Sequence, residues 1–149
     1  MSSLHRPTLA LLLPALLLLF PSCRSSGYGS GDPEGLLGTS WELVEVEGEV
    51  LLEVPEERPT MTLLESERRV TGSTGVNTFN GSYSLEERSL EFGPIATTRR
   101  AGSPAAMELE TRLLASLERV DRLRYIEGDL VLTFEGEMLL RWRRAGAGE

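Results

Sequence analysis

The chain has 149 residues, 40% hydrophobic and 26% charged, with 15 basic against 23 acidic side chains and a formal net charge of −8. That length holds one domain once the apolar N-terminal stretch is set aside, and the acidic balance argues against a nucleic-acid partner. The basic side chains are all arginine, the one histidine is His5 and the one cysteine is Cys23, so no Ser-His-Asp or Cys-His triad, Schiff-base lysine, P-loop or His/Cys zinc site can be assembled beyond the leader. Carboxylate chemistry survives, as a glycosidase-like pair or an oxygen-ligand calcium site. Neither is signalled, because the acids are mostly scattered glutamates that suit a solvated surface. No metal or cofactor is expected.

Residues 1–22 read as a signal peptide: His5 and Arg6 form a positive start, Leu9 to Phe20 an apolar run, and small residues surround Ser22. The run is shorter than the roughly 20 residues a spanning helix needs, and Pro14 would kink it. Cys23 follows directly and resembles the lipidated cysteine of a bacterial lipobox, although Phe20 stands where leucine is usual and Pro21 is atypical. That resemblance implies cleavage before Cys23 and an acylated anchor at a membrane. Loss of residues 1–22 leaves 14 arginines against 23 acids, a net −9. Residues 23–36, rich in Gly and Ser, read as a tether. Arg24 is not the aspartate associated with inner-membrane retention, which points to the outer membrane; a soluble periplasmic or secreted protein is the alternative.

From 37 to 144 the pattern predicts strands over 41–46, 60–64, 69–73, 81–85, 89–92, 123–126, 130–134 and 138–143, with turns at 65–68, 86–88, Gly128-Asp129 and Gly136. One helix interrupts them. Ser103 can cap it, Pro104 suits its first turn, and Ala106, Leu109, Leu113, Leu117 and Val120 form an apolar stripe that should lie on the sheet. Trp41 and Trp142 occupy apolar positions of alternating strands and should be buried near each other. The fold class is α+β, with a meandering antiparallel sheet and one packing helix.

The run RVTGSTGVNTFNGSY, then SLEFGPIATTR, a helix containing Met107 and Glu110, and the closing GDLVLTF and MLLRW resemble the META domain of HslJ-like bacterial envelope proteins, over about Leu37 to Trp142. The resemblance implies a strongly curved, cracked-barrel-like sheet, an envelope location, a link to heat shock and envelope stress, and no established catalysis. The family's Gly-Cys-Asn becomes Gly75-Val76-Asn77 here, and a second cysteine expected before the helix is Gly102. Should those cysteines be bridged in relatives, this chain gives up a constraint of about 2–4 kcal/mol.

Two residue sets are candidate sites. Gly75, Asn77, Asn80 and Gly81 form either a ligand mouth or a set of turn and left-handed positions, with Phe79 and Tyr83 in the core. Arg122, Arg124, Arg141 and Arg143 form either a face for lipid phosphates or an acidic partner, or pairs with glutamates such as Glu42 and Glu135. The leading function is a non-enzymatic, membrane-anchored accessory or stress-protection domain with an envelope protein or lipid as partner. The alternatives are a carrier with a cavity lined by Trp41, Phe79, Phe92, Phe134 and Trp142, and a carboxylate hydrolase.

Overall fold

Short apolar-alternating runs separated by Glu-Gly pairs dictate tight hairpins, and the computed structural model, which describes residues 35–146, contains three of them. The turn Glu47-Gly48 joins β1 (Ser40–Val46) to β2 (Glu49–Val50), Glu127-Gly128 joins β8 (Arg122–Ile126) to β9 (Asp129–Phe134), and Glu135-Gly136 joins β9 to β10 (Glu137–Arg144). Both residues of each turn have positive φ, 48° and 85°, 54° and 88°, and 51° and 89° in that order. Type I′ hairpins require this geometry. The middle turn is centred one residue earlier than the expected Gly128-Asp129, and Asp129 opens β9 instead. Cys23, the signal segment expected over 1–22 and nearly all of the tether expected over 23–36 lie outside the described residues. Leu36, assigned to that tether, is fully buried.

Between these hairpins run β3 (Thr60–Leu64), β4 (Arg69–Ser73), β5 (Thr78–Glu86), β6 (Ser89–Phe92) and β7 (Ala96–Thr97). Neighbours are antiparallel, and the order β1-β3-β4-β5-β6-β8-β9-β10 returns to β1 through the β1–β10 ladder, so the sheet closes into a ring. The ring has a crack. β6 and β8 pair only at Ser89 and Arg122, whereas β4 and β5 share five paired positions. The two-residue strands β2 and β7 were not expected, because two residues carry no readable alternation. β5 begins three residues before the predicted 81, which places Asn80 and Gly81 inside a strand.

Alternation directs Trp41, Leu43, Met61, Leu63, Val70, Phe79, Leu123, Leu132, Leu140 and Trp142 into the ring, where all are at most 1% exposed and belong to one apolar cluster. Trp41 pairs with Arg144 and Leu43 with Trp142, so the two tryptophans are buried diagonal neighbours that join the first ring strand to the last. Phe92 and Phe134 are partly buried against the same cluster. The five aromatics expected to line a cavity therefore pack as core.

Helix α1 (Pro104–Leu117) is capped as expected: Ser103 Oγ accepts from Ala106 N at 3.3 Å. It buries Ala106, Leu109, Leu113 and Leu117 with Glu110 and Ser116, and Val120 is buried just beyond its end. Arg112, on the flank of this face, ties the helix to the end of β1 by donating to Val46 O at 3.2 Å and Glu49 Oε2 at 2.7 Å, with Glu47 Oε2 at 3.6 Å. Its pKa is raised, first by the Glu49 hydrogen bond and then, against partial desolvation, by the charges of Glu49 and Glu47. The helix thus stops the ring at the β1 C-terminal end. At the other end Leu36 is buried, its carbonyl accepting from Trp41 Nε1 at 3.3 Å, and Leu37 bridges to Leu63.

A glutamate held at positive φ is strained relative to asparagine, which tolerates the left-handed region. Replacing Glu127 by Asn should raise stability by about 0.5–1 kcal/mol, read as a higher melting temperature; an unchanged or lower value contradicts the turn assignment.

Candidate functional site

The segment between β4 and β5 has to reverse the chain at the edge of the ring, and Thr74 and Asn77 build that reversal. Thr74 N donates to Asn77 O at 2.8 Å, and Asn77 N donates to Thr74 Oγ1 at 2.9 Å. Gly75 takes φ +94°, and a Cβ there would lie 2.4 Å from Glu57 O, so both conformation and space require glycine. It is the one residue of the Gly72–Gly81 segment with positive φ. The general expectation of left-handed Gly and Asn positions is therefore corrected. Asn80 is an exposed strand residue whose Oδ1 accepts from Arg69 Nη2 at 3.0 Å, and Gly81 is small because a Cβ would meet Pro94 O at 3.0 Å. Of the four residues grouped from sequence, only Gly75 and Asn77 sit together in the turn.

Asn77 is 2% exposed, and its carboxamide is fully used. Oδ1 accepts from Arg100 N at 2.7 Å and Thr98 Oγ1 at 2.9 Å, while Nδ2 donates to Glu110 Oε2 at 2.9 Å and to Arg100 O at 3.2 Å. The Glu110 carboxylate, 8% exposed, also accepts from Thr74 Oγ1. Three separate stretches of chain, the β4–β5 turn, the segment after β7 and helix α1, converge on one side chain. Thr74, Thr98 and Glu110 escaped the sequence-derived site. The available signal was Glu110 itself, since it shares the helical face of Ala106, Leu113 and Leu117, where a carboxylate must find donors.

A hydroxyl beside a carboxylate is the arrangement that activates a nucleophile. Here Thr74 is 1% exposed and its Oγ1 already accepts from Asn77 N, so the pair serves the turn. An open cleft of about 640 Å³ borders the turn, lined by Gly75 and Asn77 themselves together with Glu56, Glu57, Thr98 and Arg100 among others. Among the described residues no group of three His, Cys, Asp or Glu is placed to hold a metal ion.

A family model for the META domain matches residues 34–146, which span the whole ring, the helix and this junction. The chain belongs to the META domain family. Its fold is similar to that of a protein from Burkholderia xenovorans solved by NMR, with 26% identity over 85% of this chain and 99% of that one and a TM-score of 0.61. A second NMR structure is 21% identical over 80% and 99%, with a TM-score of 0.61. A crystal structure of a DUF4847 family protein from Bacteroides vulgatus is 15% identical over 74% and 94%, at 0.53. No curated protein matches.

Within this META domain the two positions where the family resemblance implies cysteines, Val76 and Gly102, adjoin each other. A Cβ built on Gly102 would lie 2.7 Å and 3.0 Å from the two Val76 methyl carbons. That is close to the roughly 3 Å between a Cβ and the far sulfur of a disulfide. The valine methyls and the bare glycine fill the volume a bridge would take.

The arginine set is partly assembled. Arg124 and Arg141 both pair with Val131 and so share one cross-strand row, Arg143 lies two residues along β10, and Arg122 is set apart opposite Thr133. Their expected partners give way to others. A register shift between Leu43 and Glu45 puts Glu45 opposite Arg141, with Nε to Oε2 at 3.4 Å, and Arg143 reaches Asp129 at 3.3 Å. Glu42 stands opposite Arg143 across the sheet as expected, but Arg143 makes its ion pair with Asp129, and among the described residues Glu135 pairs with none of the four. Arg124 donates to Gly136 O at 3.2 Å.

Replacing Val76 and Gly102 together by cysteine in a Cys23→Ser background should yield an intramolecular disulfide and a stability gain of about 3 kcal/mol for a loop of this size. Free-thiol titration and melting under oxidising and reducing conditions read it. Two titratable thiols after oxidation would show that the positions do not face each other.

Proposed function

We propose that this META domain is a non-enzymatic accessory module of the bacterial cell envelope, held at a membrane through an acylated Cys23 and acting in protection against envelope stress. The observation that carries the non-catalytic part is the Asn77–Glu110 junction. The best-formed polar constellation of the domain spends its donors and acceptors on its own chain, so it supports a load-sharing role better than a substrate site. Packing of Trp41, Phe79 and Trp142 inside the ring favours this reading over a carrier of an apolar ligand. The envelope part rests on sequence: an apolar run ending at Cys23, no second thiol to pair with it, and a Gly/Ser stretch before the domain. Two or more acyl chains give stable membrane residence, at about 0.8 kcal/mol per buried methylene, where a single chain does not. Arg24 after the cysteine favours the outer membrane.

Cys23→Ser should leave the domain folded but move the protein from the membrane fraction to the soluble one, or leave its precursor uncleaved, and should abolish fatty-acid labelling. A serine variant that fractionates and migrates like the parent, with neither labelled, would replace the anchor by ordinary secretion.

A further inference from the structure

From Ser40 onward the first ring strand is held on both sides: β1 is laddered to β10 between Trp41 and Val46 and to β3 between Ser40 and Glu42. Residues 35–39, just before it, are held differently. Gly38 N donates to Leu63 O at 2.8 Å, and Leu37 meets Leu63 in an isolated parallel bridge, whereas β1, β3 and β4 pair antiparallel. Thr39 Oγ1 donates back to Gly35 O at 2.6 Å and closes the segment on itself as a small loop. Gly35 and Gly38 give that loop its reversals, with φ of 75° and 69°.

One side chain of the loop enters the ring. Leu36 is 0% exposed and belongs to the apolar cluster, and its carbonyl accepts from Trp41 Nε1 at 3.3 Å. Trp41 is also buried, its ring centroid 6.2 Å from that of Tyr125 and 5.0 Å from the guanidinium carbon of Arg144. A Cβ at Gly35 would lie 3.2 Å from Arg144 Nη2, so the loop packs against the arginine that stacks on the indole. Helix α1 covers the ring at the β1 C-terminal end, and Leu36 closes the end where the chain enters.

The two closures are built unequally. Helix α1 is fixed through the Glu110 junction and through Arg112, while the loop contributes a buried leucine and an isolated bridge. A segment with few hydrogen bonds to its surroundings opens at lower free energy than the strands it rests on. Because Thr39 ties the loop to its own start, opening moves it as one body, and the rungs of β1 need not break.

We propose that residues 35–39 are a latch: the loop releases from the ring as a unit, withdrawing Leu36 and uncovering the Trp41 indole N–H, while ring and helix stay folded. The latch couples the chain before Gly35 to the ring interior. A pull on that chain, or a partner that binds it, draws Leu36 out and opens a leucine-sized apolar space at the chain-entry end. This coupling holds whether or not Cys23 is acylated.

Hydrogen exchange of the 15N-labelled full chain, followed by NMR in water and in low concentrations of urea, tests the latch. Trp41 and Trp142 are both 0% exposed inside the same ring, and their indole hydrogens have the same chemistry, so a difference in protection reads a difference in opening. The Trp41 Nε1 and Gly38 amide hydrogens should share one protection factor, about tenfold or more below that of Trp142 Nε1 and of the Leu43 amide, which donates to Pro59 O. Their exchange should change little with urea, since a small opening exposes little surface, while the two references accelerate steeply. Trp41 protected as strongly as Trp142 would make Leu36 ordinary core and overturn the latch. Different protection at Trp41 Nε1 and Gly38 N would overturn release as a unit. Latch hydrogens that accelerate with urea as steeply as the references would show that the loop leaves only by global unfolding, and would overturn it as well.

Discussion

Burying the Glu110 carboxylate under helix α1 is tolerable only because Thr74 Oγ1 and Asn77 Nδ2 both donate to it, since an unpaired buried charge costs several kcal/mol. Asn77 in turn is held by Arg100 N and Thr98 Oγ1. The constraint is reciprocal: the turn fixes the carboxamide, the carboxamide fixes the carboxylate, and the carboxylate fixes the azimuth of the helix. Once that azimuth is set, Leu109, Leu113 and Leu117 enter the apolar cluster together. Such networks are worth more complete than as a sum of their pairs.

The helix has a second tether. Arg112 reaches the end of β1 through Val46 O and Glu49, so α1 is held at the β4–β5 turn on one side and at the first hairpin on the other. Position 112 is therefore a cross-link between helix and sheet. A ring closed by one residue pair between β6 and β8 gains less from its ladder there than elsewhere. Helix packing, with Leu36 buried at the far end, compensates by filling both ends of the ring. If the relatives' two cysteines are bridged, the same junction would be braced covalently beside Asn77; here Val76 and Gly102 leave that job to packing and hydrogen bonds.

Much of the ring was legible because the driving force leaves a period in the sequence. Leu140 and Trp142 alternate with Arg141 and Arg143, and the stripe from Ala106 to Leu117 repeats at helical spacing, so burial directions follow directly. Motif resemblance then implied the strongly curved, cracked-barrel-like form of the sheet. What escaped were interactions set by distant chain: Glu110 is 33 residues from Asn77, and nothing local says that a carboxylate on an apolar stripe will find a carboxamide. The partner of Arg141 depended on a register shift in β1, which no alternation pattern reveals. Asn80 was grouped with Asn77 because they are close in sequence, but β5 begins between them and sends one to the interior junction and the other to solvent.

The central claim, that the Asn77 carboxamide is an internal structural junction, is tested most directly by hydrogen exchange of side-chain amides followed by NMR. Asn80, exposed on β5 three residues further along, serves as the reference. Hydrogens on Asn77 Nδ2 should persist in deuterated buffer and be lost only as fast as the core amides, through global unfolding, while those of Asn80 vanish at once. Exchange of both carboxamides at the same fast rate would mean that the junction opens freely to water, and would contradict the account.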